Sequence, residues 1–542
     1  MTVITADPDE LVARFVEPDM HVHLAMTPAR PNAATMALAR QFAGRRSLTV
    51  SMAAVYSAAH ALALSGAVGR MITCFLGDTY PTPRPNALYR DVLTEVPFRA
   101  EIWSLLTLMQ RLMAGAMGLG HTEIRSLWGS DLAHGKEDAV FAAPTPAGGP
   151  PVVLATALRP DVTIVHGLCA DRRGNVVLAA PIGEGPWSAY GAKRGVLATV
   201  ERIVDDSVID THPGRVVIPG QRVTALCAAP FGAHPQSMPS DGTGGVEGYL
   251  DDYGFLAEIA RCGRSVEAMR QWHRDWVVDT GSHAGYLAKL GAFSPNKPVP
   301  RPAGDPTDLE RTILLGARSV VQNVIDHGYD TLLAGIGPSH VAAWLAAGRL
   351  RTRGIEVKVC AETGFYGQCP AAGDVFLFSL AHRAEQLSSI PEVLGGMVAG
   401  NNRCLGVLSA AEVDVMGNIN TCLLPDGRWI TGSGGANDIA STVDCVVVAS
   451  ASRRRYVAEV AHLTSPGQRV REAVSQFGRF QRRPGAKLRL ATWLADGDRT
   501  PAEALAEHTQ WPSSTDFVAT EPEITGDELA ALRRLDPDGH YR

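Results

Sequence analysis

The sequence predicts an α/β protein built as two related domains, each a mainly parallel sheet covered by helices. Short β-branched apolar runs alternate with helical patterns, comparable material recurs in both halves, and a proline-rich stretch stands between them.

With 542 residues, 46% of them hydrophobic, the chain can bury a large interior and exceeds one ordinary domain. In the first half, residues 21–24, 71–75, 152–154, 162–165 and 223–227 read as strands. Residues 51–69 hold no Asp, Glu, Lys or Arg, but their alanines, three serines and His60 suit a buried helix better than a membrane span. Residues 294–306 carry five prolines in thirteen positions; lacking those backbone donors, they read as a linker.

Beyond the linker Leu309, Ile313, Leu314, Ala317, Val320, Val321 and Val324 recur at helical spacing, with Gly328 as the stop. The expected division is a first domain over 1–293, a linker over 294–307 and a second domain over 308–542. Residues 331–334, 356–360 and 445–449 are strand candidates in the second, with 341–347 helical between the first two. Asp171-Arg172-Arg173-Gly174-Asn175 and Asp414-Val415-Met416-Gly417-Asn418 follow apolar strands and carry hairpin chemistry, since Gly and Asn tolerate positive φ.

A net charge of -6 with no long basic run argues against nucleic acid as a partner. Nine scattered cysteines without a C-x-x-C pair indicate neither a disulfide framework nor a structural metal. The acidic start lacks the apolar core of a signal peptide, so a cytoplasmic enzyme acting on a small molecule is expected.

Glu362 follows an apolar strand in the turn Ala361-Glu362-Thr363-Gly364, at the strand end where open α/β sheets bind ligands. Such a carboxylate can be a nucleophile, a general base or an acceptor for nearby amides. Thr431-Gly432-Ser433-Gly434-Gly435-Ala436-Asn437 would let backbone amides approach an oxyanion, and Gly335-Ile336-Gly337-Pro338 forms a strand-to-helix turn. His234 and Glu101 are further acid/base candidates, although His234 can equally brace a loop; Trp272, His273 and Trp276 read as helix packing. Cys360 and Cys369 flank Glu362 without support for a redox role.

In order, Gly335 to Pro338, Ala361 to Gly364, Glu412 to Asn420, Thr431 to Asn437 and Thr464-Ser465-Pro466-Gly467 resemble the β subunit of glutaconate CoA-transferase, a family I CoA-transferase. The first half resembles the α subunit through Val162 to His166, Asp171 to Asn175, Ile218 to Gly220, Ala229 to Pro235, Trp272 to Val277 and Tyr286 to Gly291. The resemblance covers nearly the whole chain and implies two fused subunits of the family I CoA-transferase fold, working as a homodimer.

It also implies transfer of CoA from an acyl-CoA to a carboxylic acid, by ping-pong exchange through a glutamyl-CoA thioester on Glu362. No tightly bound cofactor or metal and no membrane are implied; the CoA thioester is substrate. Gly335, Gly337, Gly364, Gly434, Gly435 and Ala436 would line the oxyanion or acyl-CoA site. The sequence departs from the family's Gly-Gly-Phe-like turn at His23-Leu24-Ala25-Met26-Thr27-Pro28. Side chains there reshape the pocket, making Ala25 and Met26 substrate-pocket candidates beside His234, a candidate in its own right as an acid or base, and opening two alternatives. One is an acyl-CoA hydrolase or carbon-carbon-cleaving hydrolase of the same fold; the other is a non-catalytic acyl-CoA-binding protein.

Overall fold

A computed structural model describes residues 2–145, 148–293, 304–369, 383–482, 485–495, 497–512, 515 and 518–542. Most of the proline-rich linker, 294–303, lies outside the described residues.

The first sheet runs, from edge to edge, Val3–Ile4, Val223–Ala228, Val196–Ile203, Val162–Ala170, His21–Leu24, Leu48–Ser51, Val68–Thr73 and Arg99–Ile102, and every one of these neighbours is parallel. The central Val162–Ala170 strand is buried along all nine residues, which is why it reads as a continuous apolar run. The second sheet centres on five parallel strands, Lys358–Ala361, Thr331–Ala334, Cys404–Leu408, Asp444–Val448 and Val470–Val474. Antiparallel neighbours, Phe365–Gln368 and Gly478–Gln481, flank that core.

Helix Asp308–His327 opens with a capping box between Thr307 and Glu310 and stops at Gly328, whose φ of 68° glycine adopts without a Cβ penalty. It packs beside helix Pro338–Thr352 over the second sheet, burying Ile313, Leu314, Val320 and Trp344.

Both Asp-x-x-Gly-Asn segments are hairpins built alike. Asp171 N–H donates to Asn175 O and Asp414 N–H to Asn418 O. The Asn175 side chain then accepts from Gly220 N at 2.9 Å, and the Asn418 side chain from Gly467 N at 2.9 Å. The same lock thus ties a Pro-Gly turn to a hairpin in each half.

Three expectations shift. The strand read at 356–360 is Lys358–Ala361, so Glu362 follows it directly. Residues 152–154 belong to Val152–Thr156 in a separate antiparallel three-stranded sheet, because their partners, His121–Ile124 and Val140–Ala143, pair locally. Residues 51–69 form no single helix: a 3-10 turn, Ser57–Ala59, leads into His60–Ser65, which ends at Gly66 with φ of 67°. Trp272 and Trp276 are buried packing residues, with Phe255 and Trp276 edge to face at 4.7 Å.

Candidate active site

The carboxyl ends of the strands of both sheets border one cavity of about 710 Å³. Met26, Ala53 and Cys74 line it from the first half; Gly335, Glu362 and Gly434 line it from the second. This is the open end of a parallel sheet, where strand-to-helix turns converge.

Glu362 stands at the tip of the Lys358–Ala361 strand, part-buried and bordering the cavity. Its Oε2 accepts the Gly435 N–H at 3.0 Å. Desolvation raises its pKa to about 7; the nearby Asp438 charge adds to the rise, and the Gly435 N–H opposes it. Asp438 is itself buried, with a pKa raised to about 6 by desolvation against hydrogen bonds from Leu106 N at 2.9 Å and Ser104 Oγ at 2.7 Å. Two desolvated carboxylates therefore lie near one another, and the Asp438 charge makes Glu362 harder to ionise.

The glycine loop reaches Glu362 because the first half holds it. Phe75 and Gly432 form an antiparallel bridge, and Gly432 has φ of 123°. Leu76 N–H donates to Thr431 O, Gly434 N–H donates to Cys74 O at 3.1 Å, and Leu105 N–H donates to Gly434 O at 3.0 Å. A Cβ on Gly432 would press against the Cys74 carbonyl, and one on Gly435 would overlap Glu362 Oε2. Asn437 adds a further tie, accepting Leu127 N at 2.8 Å.

These bonds revise the roles open to the loop. The Gly434 amide is committed to Cys74, the Gly435 amide to Glu362 and the Ala436 amide to Ser433 O. As they stand none of the three is a free donor, and the Gly435 amide alone of them touches the carboxylate. The Gly335 amide is likewise spent on Val407 O and the Gly364 amide on Ala361 O. Gly364, with φ of 114°, closes the turn where a Cβ would meet Ser388 O and Pro181. Gly337 borders the cavity with φ of 89°.

A group the sequence reading missed is the Thr363 hydroxyl. It is buried on the cavity wall beside Glu362 and has no hydrogen-bond partner among the described residues. Only its position after Glu362 could have drawn attention to it.

Of the three pocket candidates in the first half, Met26 lines the cavity, while Ala25 is buried in a separate apolar cluster and His234 stands off the lining. His234 is a brace, bonded to Tyr286 Oη at 2.6 Å and to Asp252 Oδ2 at 3.2 Å. Glu101 is also off the lining, held by Arg70 and by Trp103 Nε1. Met26 N donates to Glu184 Oε2 at 3.0 Å, and His23 Nε2 lies 2.9 Å from Glu184 Oε1, so a buried His-Glu pair supports the altered turn. Cys360 is buried, its thiol pushed up to about 12 by desolvation, and Cys369 is exposed.

Among the described residues no cluster of His, Cys, Asp or Glu could hold a metal ion, and no helix is long and apolar enough to cross a membrane.

Residues 5–229 match the Coenzyme A transferase family. The chain is 31% identical to one of the two subunits of 3-oxoadipate CoA-transferase of Pseudomonas knackmussii over 33% of its own length, and spans 59% of that relative, less than two thirds. It is 26% identical to the larger-matching subunit of glutaconate CoA-transferase of Acidaminococcus fermentans, over 52% of this chain and 90% of that subunit. Its fold is similar to an acyl-CoA transferase from E. coli O157:H7 in a thioester complex with CoA, with a TM-score of 0.64, 15% identity, and coverage of 96% and 95% of the two chains.

Proposed function

We propose that the chain is a coenzyme A transferase, a reading supported by the match of residues 5–229 to that family, and that it moves CoA from an acyl-CoA to a carboxylic acid through Glu362. One observation carries the reading: a carboxylate at the tip of a central strand, bordering a large cavity, oriented by the Gly435 amide and lifted to a pKa of about 7. A carboxylate of raised pKa is a stronger nucleophile than an ordinary one and is still ionised in part at neutral pH.

In the first half-reaction a Glu362 oxygen attacks the thioester carbonyl and CoA leaves as thiolate, giving an acyl-glutamyl anhydride. The thiolate attacks the glutamyl carbonyl; the acyl group departs as a carboxylate and the enzyme holds a glutamyl-CoA thioester. An incoming carboxylate attacks that thioester, releasing CoA thiolate and forming a new anhydride. Thiolate attack on its acyl carbonyl frees the new acyl-CoA and regenerates Glu362. No net proton, metal or ATP enters.

The Thr363 hydroxyl, buried and unpartnered next to Glu362, is the donor suited to the oxyanion of these tetrahedral steps. Gly434, Gly435 and Ala436 shape the loop that aims the carboxylate, while Gly335, Gly337 and Gly364 leave room for the acyl-CoA. The working unit is a cytoplasmic homodimer of chains divided at 1–293, 294–307 and 308–542, with no tightly bound cofactor.

The test is intact-protein mass spectrometry after incubation with a panel of acyl-CoAs, then borohydride or hydroxylamine trapping, peptide mapping and Glu362→Ala as control. A CoA adduct on Glu362 that disappears in the variant supports the relay. Release of free CoA without acceptor, from an enzyme never modified at Glu362, moves the assignment to a hydrolase of the same fold.

A further inference from the structure

The cavity extends well past Glu362. From the Lys358–Ala361 strand the sheet continues through Thr331–Ala334 and Cys404–Leu408 to Asp444–Val448, and the wall follows it through Gly337, Leu408 and Ser450 to Arg455. Three strand spacings of ~4.8 Å put that end roughly 14 Å from the Glu362 strand.

Arg455 occupies the far end. Its Nη1 donates to Ser450 O at 3.0 Å, while its Nε is buried with no partner among the described residues. Arg84 lines the same cavity from the first half, on a loop where Asp78 and Arg84 exchange backbone hydrogen bonds at 3.0 Å in both directions. Its Nη2 reaches Tyr80 O at 3.5 Å, and its Nε too is buried without a partner among the described residues.

No carboxylate among the described residues forms an ion pair with either arginine. Of the acids on the cavity wall, Asp251 accepts Ser237 N at 3.2 Å and Asp308 sits in the first turn of helix Asp308–His327. Desolvation lowers the pKa of both guanidinium groups, with Asp78 opposing it at Arg84. A guanidinium keeps its charge under such conditions, so two part-buried ones that line the cavity and make no ion pair among the described residues are open to an incoming anion.

We propose that Arg455, with Arg84 lining the same cavity from the first half, forms an anion-binding subsite at the end of the cavity remote from Glu362, which takes a phosphate or carboxylate carried by the substrate roughly 14 Å from the reacting carbonyl. The subsite rests on the acyl-CoA reading and deepens it. The extended arm between the thiol and the diphosphate of CoA is of this length class, and so is a long acyl group ending in a second carboxylate. Both present oxygens in the plane a guanidinium fork accepts.

Binding, not turnover, is the measurement, because thioether analogues cannot react with Glu362. Calorimetry compares the full chain and Arg455→Gln for S-butyl-CoA, for the same thioether bearing a terminal carboxylate, and for S-butyl-pantetheine, which has no phosphate. We expect roughly tenfold or greater weakening confined to ligands that carry the anion. Weakening of both CoA thioethers with S-butyl-pantetheine unchanged assigns the phosphate; weakening of the carboxylate-bearing analogue alone assigns the acyl carboxylate. Equal affinities, or an equal loss across all three ligands, overturn the subsite. Arg84→Gln and Arg455→Lys repeat the comparison should Arg455→Gln fail to melt cooperatively. A wild-type chain that binds none of the three sinks the acyl-CoA reading with it, whereas normal binding with indifferent arginine variants sinks the subsite alone.

Discussion

Gly435 donates its backbone N–H to Glu362 Oε2 at 3.0 Å, and the absence of a side chain on Gly435 is what leaves that oxygen its place. The same residue supplies the bond and the room for it. Orientation of the carboxylate is therefore set by a loop from the second half that the first half holds down at Cys74 and Leu105.

Gly435→Ala would push the Glu362 carboxylate aside while leaving the fold intact, since the group that must yield is the end of a flexible side chain. Steady-state kinetics should show kcat down by about 10²-fold, the scale of a misplaced reacting group, with a nearly unchanged thermal midpoint. A variant as active as the parent would mean that the Gly435 contact does not position the nucleophile.

Attack requires ionised Glu362, so kcat/KM should climb with pH through about 7. Asp438→Asn removes a like charge and should move that rising limb to lower pH.

Stability carries the opposite sign. Between the ordinary value of 4.5 and about 7 the native chain keeps a proton that the unfolded chain releases. Stability is therefore lost as pH rises across that window, by about 3 kcal/mol at most. Glu362→Gln should melt above the parent at pH 8 and close to it at pH 4.5; a gap independent of pH would contradict the raised carboxyl.

Thr363→Val deletes a buried hydroxyl that has no partner among the described residues, so stability should hold or rise. As an oxyanion donor, its loss should lower kcat by about 10²- to 10³-fold with KM little changed. An unaltered kcat would remove the hydroxyl from the reaction.

His234→Ala strands the Tyr286 hydroxyl and the Asp252 carboxylate. Chemical denaturation should show a loss of about 1–3 kcal/mol, and kcat/KM measured well below the melting transition should match the parent. A selective loss of kcat would place His234 at the substrate after all.

Much of this frame was legible in the chain. The all-buried strands announce themselves as apolar runs, the two Asp-x-x-Gly-Asn hairpins as turn chemistry, and Glu362 as a carboxylate just past a strand. Hidden were facts that depend on distant partners. That the Gly434 amide is spent on Cys74, that His234 leans on Tyr286, and that Arg84 and Arg455 share a cavity all require both halves in register. The break at Gly66 was missed because an alanine-rich stretch looks helical until the parallel strand Val68–Thr73 claims its end.

The cavity meets an equivalent strand tip from each half. In the second, Lys358–Ala361 runs beside Thr331–Ala334 and delivers Glu362 and Thr363; in the first, Leu48–Ser51 runs beside His21–Leu24 and delivers Ala53 and Ala54. The two tips are equipped differently: a glutamate and a threonine follow the strand of the second half, where two alanines close by follow that of the first.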